Sequence, residues 1–366
     1  MSATSAAINQ FPCVNCGANT SFGPGTGALL CEHCGHAEPV ETSNTPIVEI
    51  DFFATLRQVT AMPATATAAA GTEIQCKNCG ARTMSAKHAV RCAFCDSAMV
   101  IELPPEPMQV PQAVLPFETK RDTAQELFVG WLKSRWFAPF KLVERAKRDG
   151  LDGVYLPYWT YDTSTVTDYQ GERGDYYYVT VTYKDGNGKE QTKQERRTRW
   201  SDSSGTVQVP FDDVLVCSST SLPTRLLHDL EPWDLGRLAP FNAKYLAGFM
   251  AERQRLPLRE GFDEAKIRME PKINQEICRD IGGDEQRISS KNVDYREVTW
   301  KHILLPLWLS AFHYNNKVFR VTVNARTGEV SGERPYSAVK IIMFILMICA
   351  IIGGIVYLVI RNKNGG

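Results

Sequence analysis

Val154-Tyr-Leu-Pro-Tyr-Trp159 and Ile303-Leu-Leu-Pro-Leu-Trp308 are two versions of one pattern, and the reading of that pair sets the fold. Each is an apolar run with a proline at its fourth place. Proline cannot donate to a sheet ladder, so each reads as a strand that bends at an edge or a bulge. Helical sequence precedes both. Before the first, Asp122 as N-cap with Gln125 three residues on makes a capping-box start, and Leu127, Phe128, Trp131 and Leu132 recur at helical spacing until Pro139 interrupts. A basic turn then ends at Asp149-Gly150. Before the second, Asn242 caps a helix with Tyr245, Leu246, Phe249 and Met250, and a further run with Ile273, Ile277 and Ile281 stops at Gly282-Gly283. A strand pair follows each motif. Tyr176–Lys184 turns at Asp185-Gly-Asn-Gly188 and returns to Trp200; the second pair joins at Asn315-Asn316, with another turn at Arg326-Thr-Gly328. The expected class is α+β, a duplicated unit of antiparallel strands and helices spanning 117–216 and 217–335.

Upstream of that region, eight of the eleven cysteines fall in four C-x-x-C pairs. Cys13-Val-Asn-Cys16-Gly17 is followed after fourteen residues by Cys31-Glu-His-Cys34-Gly35, and Cys76-Lys-Asn-Cys79-Gly80 after twelve by Cys92-Ala-Phe-Cys95. Two thiolates from one tight turn facing two from another satisfy a tetrahedral zinc ion, and glycine after the second cysteine supplies the positive φ of such a knuckle. Two zinc ribbons are therefore expected, at 1–45 and 73–102, holding two structural Zn2+ ions. Cys13, Cys16, Cys31 and Cys34 would ligate the first ion, and Cys76, Cys79, Cys92 and Cys95 the second. Four sulfur ligands close the shell, which argues against a catalytic metal. Redox dithiols would call for a βαβ context of thioredoxin type, whereas these segments are short, glycine-rich and without helical period. His33 and His36 could replace a cysteine, but with four cysteines at hand they, like His88, read as surface side chains. Cys217, Cys278 and Cys349 have no C-x-x-C partner and read as core or membrane residues.

At the other end, Ile341 to Ile360 (IIMFILMICAIIGGIVYLVI) runs between Lys340 and Arg361 with no ionisable side chain except the Tyr357 phenol. Twenty helical residues reach about 30 Å, the thickness of a bilayer's hydrocarbon core. We read 340–361 as one membrane-spanning helix. Ala350 and Gly354 form a small-xxx-small pair that would allow two such helices to associate into a homo-oligomer. The N-terminus lacks the basic start and apolar core of a secretory signal, so the expected arrangement is a tail anchor. Arg320, Arg326, Arg334 and Lys340 precede the span against Arg361 and Lys363 after it, and paired cysteines suit a reducing compartment. Both features place the large N-terminal part in the cytoplasm, at the inner membrane.

The 366 residues carry forty-one basic and forty-one acidic side chains, a balance that calls for no polyanionic partner. Residues 1–45 contain no lysine or arginine, and Glu32, Glu38 and Glu41 join a four-thiolate zinc cluster of formal charge about −2. The second ribbon has Lys77, Arg82, Lys87 and Arg91 against Glu73, Asp96 and Glu102. Phosphate contacts supply most non-specific nucleic-acid affinity, so these ribbons fit a protein partner better than DNA. Pro46 to Thr60, within the connecting segment 46–72, has apolar residues suited to packing on a ribbon or a partner. Residues 61–72 read as a small-residue linker, and 103–116 as a stiff Pro-rich linker separating the ribbons from the α+β region. Lys189, Lys193, Arg196, Arg197 and Arg199 line one strand of the hairpin, where such charge either blocks edge aggregation or meets anionic lipid.

With these residues in view, the chain resembles a bacterial family of membrane-anchored proteins with TFIIB-type double zinc ribbons. The resemblance rests on the C-x-x-C-G knuckles, V-Y-L-P-Y-W at 154–159, T-R-W at 198–200, F-D-D-V-L-V at 211–216, Y-L-A-G-F at 245–249, L-L-P-L-W at 304–308 and V-N-A-R-T-G-E-V-S-G-E-R-P at 323–335. It covers nearly the whole chain. Members are often labelled primosomal replication helicase-like, and their association with band-7 (SPFH) and phage-shock-type proteins implies a role in membrane stress or membrane-domain organisation.

Three classes of function compete. A membrane-anchored adaptor or scaffold, recruiting protein partners at the lipid bilayer, fits two closed metal sites, weak basicity and a tail anchor. The alternative is a nucleic-acid-binding protein of replication or transcription. No G-x-x-x-x-G-K-[ST] occurs, so an ATP-driven helicase lacks its phosphate cradle, and Asp284-Glu285 reads as a helix-end turn. An enzyme finds no H-E-x-x-H and no G-x-S-x-G, and His228, His302 and His313 read as core or edge residues. No catalytic residue is expected.

Overall fold

The two L-P-x-W motifs lie side by side. In the computed structural model, which describes residues 11–41, 46–61, 72–85, 91–97, 100–103, 110–139, 142, 144, 150–184, 186, 188–314 and 317–364, they belong to long antiparallel strands β9 (Asp152–Lys184) and β13 (Glu285–Tyr314). In chain order the elements before β9 are β1 (Ser21–Gly23), β2 (Ala28–Leu30), β3 (Ala37–Pro39), β4 (Ile50–Asp51), α1 (Phe52–Ala61), β5 (Thr72–Cys76), β6 (Arg82–Ser85), β7 (Val100–Leu103), β8 (Ala113–Val114) and α2 (Arg121–Lys133). After it come β10 (Glu190–Cys217), α3 (Thr224–His228), β11 (Ala239–Pro240), β12 (Met250–Glu252), α4 (Leu258–Ile281), β13, β14 (Lys317–Asn324), β15 (Val330–Gly332) and α5 (Ala338–Asn364).

Leu156 pairs with Leu305, the residue at the same place in the other motif, so a local two-fold axis passes between them. The neighbours obey the same symmetry. β12 pairs in parallel with Val154 and Tyr155, and β8 pairs in parallel with the equivalent Ile303 and Leu304. β10 ends opposite Tyr158, and β14 ends opposite the equivalent Leu307. The repeat is therefore β8-α2-β9-β10 and β12-α4-β13-β14, and the first strand of each copy completes the sheet of the other.

This arrangement corrects the expected bend at the two prolines. Pro157 and Pro306 sit in central strands and outside the ladder irregularities, which fall at 211/214, 288/290 and 296/299. Each occupies the gap where the strand's outer neighbour changes: β12 to β10 beside Pro157, and β8 to β14 beside Pro306. No ladder N–H is needed there. Each proline carbonyl still finds a donor, with Ser218 N–H reaching Pro157 at 2.9 Å and Ala325 N–H reaching Pro306 at 3.2 Å.

Three other expectations shift. α2 begins at Arg121, so Asp122 lies in its first turn, where a carboxylate suits the helix dipole, and is not the N-cap. Asn242 does cap, accepting from Lys244 N–H at 3.0 Å, but the turn it opens is a short 3-10 helix, Ala243–Leu246. The Ile273, Ile277 and Ile281 face belongs to a helix that starts at Leu258 and runs through Pro271 before Gly282 and Gly283 end it at φ 66° and 75°. The turn at Asn315-Asn316, the basic turn at 145–149, the linker 62–71 and residues 104–109 of the Pro-rich segment lie outside the described residues.

β9 and β10 pair from Tyr158 to Lys184, and β13 joins β9 only as far as Gly174. Beyond it a two-stranded arm of about 33 Å continues. Its cations stack on tyrosines of the neighbouring strand, Arg196 over Tyr176 at 4.1 Å and Arg199 over Tyr177 at 5.2 Å. Closer to the two-fold, alternation divides the sheet. Tyr155, Leu304 and Trp308 face α2 and the first ribbon, and beside them Trp159, Tyr161 and Trp300 face α4. Leu156, Tyr158, Leu305 and Leu307 point the other way, toward the second ribbon and α3.

The segment at 46–61 packs on the α+β body, and its Ile47 lies against the core cluster that includes the second ribbon's Cys76, Cys92 and Cys95. β4 pairs with β13 at Thr299 and Trp300, and Phe52 is buried against Phe262. Lys301, 6% exposed, is held there by Asp213 at 2.8 Å and Glu49 at 3.1 Å, with Asp162 at 3.7 Å. At the C-terminus α5 stands outside the core, and Ala338–Tyr357 is long and apolar enough to cross a bilayer.

Candidate metal centres

Each C-x-x-C pair folds as the same hydrogen-bonded knuckle. Gly17 N–H donates to Cys13 O at 2.8 Å, Gly35 to Cys31 at 2.9 Å, Gly80 to Cys76 at 2.8 Å and Asp96 to Cys92 at 2.8 Å. The closing residue is left-handed in all four, with φ of 76°, 73°, 74° and 56°. Three are glycines. The fourth is Asp96, one of the few side chains that tolerate this conformation, and Arg91 holds its carboxylate at 2.7 Å.

Facing knuckles bring the sulfurs together. Cys13 and Cys34 lie 3.6 Å apart and Cys16 and Cys31 3.5 Å; in the second ribbon Cys76 and Cys95 are 3.6 Å apart and Cys79 and Cys92 3.7 Å. All four ligand atoms of each cluster fall within 4.8 Å of one another. Sulfurs at the corners of a tetrahedron around zinc, each about 2.3 Å from it, stand about 3.8 Å apart. The residues therefore fit the ion: two four-cysteine sites, each able to bind one Zn2+. His33 and His36 belong to neither cluster, and His88 lies outside the described residues.

An asparagine amide donates to one sulfur of each cluster. Asn15 Nδ2 donates to Cys34 Sγ at 3.6 Å, and Asn78 Nδ2 donates to Cys95 Sγ at the same distance. The His36 amide and then Asn15 hold the Cys34 thiol down at about 6. Cys79 falls to about 5 through its contact with Cys92 and then the Ala81 amide, while Cys92 is pushed up by the same contact. Both asparagines occupy one place, the x before the second cysteine in Cys13-Val-Asn-Cys16 and Cys76-Lys-Asn-Cys79. That recurrence was the sequence signal for them, and attention to the cysteines alone passes it by.

The two centres differ in how they meet the body. The second is welded in: β6 pairs with β12, Arg320 Nε donates to Phe94 O at 2.7 Å, and Cys76, Cys92 and Cys95 are buried in one core with Leu156 and Leu305. The first docks through its small sheet, with the Phe22 amide donating to Ala247 O at 2.9 Å and the Phe22 ring on Tyr245 at 5.1 Å. Its knuckle tips stay in solvent, with Cys16 and Cys34 exposed. The Pro-rich segment therefore does not hold the ribbons apart from the body, because the apolar faces of both are buried against it.

No protein-family model matches the chain, and no solved structure matches it. Over 350 residues it is 25% identical to the uncharacterized protein YdjG of Bacillus subtilis (strain 168), a similarity covering 91% of this chain and 92% of that relative.

Proposed function

We propose that this protein is a membrane-anchored scaffold that displays its first zinc ribbon to protein partners at the cytoplasmic face of the membrane. The observation that carries the reading is the contrast between two metal centres of one design. The second is built into the core, whereas the first presents Cys16, Cys34 and, beside them, Val14 at 75% exposure. An apolar side chain on a loop stiffened by metal is a contact point for another polypeptide, and residues 1–45, which contain no lysine or arginine, offer a phosphate backbone no cation of their own. Bound Zn2+ would supply folding energy to each ribbon and leave no open position for substrate. Anchoring is assigned to α5, and the cations before it favour a cytoplasmic body. The resemblance to membrane-anchored double-zinc-ribbon proteins suggests band-7 or phage-shock-type partners in a membrane-stress setting. Association through Ala350 and Gly354 would multiply the display.

The test is a photo-cross-linking residue at position 14 of the full chain in intact cells. A discrete protein adduct, absent when the residue is placed at Val110, supports the scaffold. The same adducts from both positions, or none, count against it.

A further inference from the structure

We infer that the junction between α2 and the membrane helix is a binding site for one anionic phospholipid. The inference rests on the reading of α5 as a membrane span. Just past the end of α2, the carbonyls of Trp136 and Ala138 accept hydrogen bonds from Lys340 Nζ at 3.0 and 2.7 Å, and Ser337 N–H donates to Phe137 O at 2.8 Å. The Phe137 ring meets Phe344 edge-on at 5.5 Å. Phe344 lies one helical turn beyond Lys340, about 6 Å deeper into the bilayer. The turn after α2 therefore reaches below the level at which the span enters the membrane.

Between the two elements opens a cleft of about 450 Å³. Leu132, Met343 and Met347 wall it, and Lys133, Arg135 and Lys340 rim it. Among the described residues no acidic side chain lines it. Trp136, 72% exposed, stands at its lip, and tryptophan is enriched where headgroups meet water. An apolar slot running to acyl-chain depth under three cations complements a molecule with a hydrocarbon tail and an anionic head. The slot is continuous with the helix that lies in lipid, so the occupant is drawn from the bilayer itself.

The full chain is reconstituted into phosphatidylcholine nanodiscs containing a minor fraction of phosphatidylglycerol, with bromine placed on the chains of one lipid or the other. Quenching of the Trp136 component, isolated by comparison with Trp136→Phe, gives the relative association of the two lipids at the cleft. Wild type should prefer phosphatidylglycerol roughly tenfold, and Lys133→Gln with Arg135→Gln should bring the ratio close to one. The pair Lys133→Arg and Arg135→Lys should keep the preference. Equal association in wild type, or no quenching that depends on Trp136, overturns the site. Flotation of the same protein with carbonate-washed vesicles separates the two levels. A chain that floats without lipid preference removes only the cleft, and a chain that does not float removes the span and the cleft together.

Discussion

Replacing Glu252 by glutamine should stabilise the protein at neutral pH, and by an amount that grows with pH. Glu252 lies on β12, the strand that joins the second ribbon to the body, and is 2% exposed. Ser219 Oγ donates to one carboxylate oxygen at 2.6 Å and Ser221 Oγ donates to the other. Burial pushes its pKa from 4.5 up to about 7, against the partial opposition of the two serines. A folded-state pKa above the unfolded one means that between about pH 4.5 and 7 the native chain holds a proton the unfolded chain has lost. Stability falls as pH rises through that window and is level above it. A shift of about 2.5 units corresponds to about 3 kcal/mol at pH 8. Glutamine fills the same volume, accepts from Ser219, donates to Ser221 and carries no charge to desolvate. Glu252→Gln should therefore match wild type near about pH 4.5 and exceed it by about 3 kcal/mol at pH 8, several degrees in melting temperature. Thermal unfolding of the full chain in detergent, with both proteins measured at each pH, cancels any metal loss common to the two. Parallel curves, or a less stable variant at pH 8, would show that Glu252 is ionised and satisfied in the folded protein.

The two metal centres should respond differently to one lost ligand. Metal analysis should find two zinc ions per wild-type chain and one in either Cys16→Ser or Cys79→Ser, but only Cys79→Ser should lower the melting temperature of the whole body, since its cluster is part of the core. Retention of two ions in either variant would refute the ligand assignment. Truncating Lys301 to alanine strands Asp162, Asp213 and Glu49 beside one another and should cost about 3 kcal/mol in denaturant unfolding at pH 7. Burial holds Asp162 up at about 6, so its proton returns on acidification and the penalty should shrink below that pH. Anisotropy of a labelled oligonucleotide should stay flat with the full chain at physiological salt; tight binding with a steep salt dependence would favour the nucleic-acid reading.

The two four-cysteine clusters were legible because a knuckle is local: the C-x-x-C spacing and the glycine after it lie within a few residues. The duplication was legible from two hexapeptides, and the structure explains their likeness, since each holds the same place on either side of an axis. Strand length was not legible. Between Trp159 and Tyr176 the chain carries Asp168, Glu172 and two glycines, which reads as a break. In the fold Gly171 faces β13 so closely that a Cβ there would meet the Arg287 carbonyl at 2.3 Å, so the glycine permits the strand to pass. The contacts of both ribbons with the body were equally hidden, because they join residues more than a hundred positions apart, such as the Arg320 side chain with the Phe94 carbonyl and Lys244 with Glu38.

The exchange of first strands between the two copies bears on how the molecule is made. Synthesis proceeds from the N-terminus, and β9 leaves the ribosome well before any of β13 has been translated. Until then its inner edge faces water along most of its length, the sort of open ladder that invites pairing with a stranger. The missing partner and the greasy tail are encoded almost together, with only the short strands β14 and β15 between the end of one and the start of the other. On the proposed reading of α5 as a membrane span, closing of the body and entry into the lipid would thus fall within moments of each other, and a nascent chain arrested before residue 285 should be captured by chaperones.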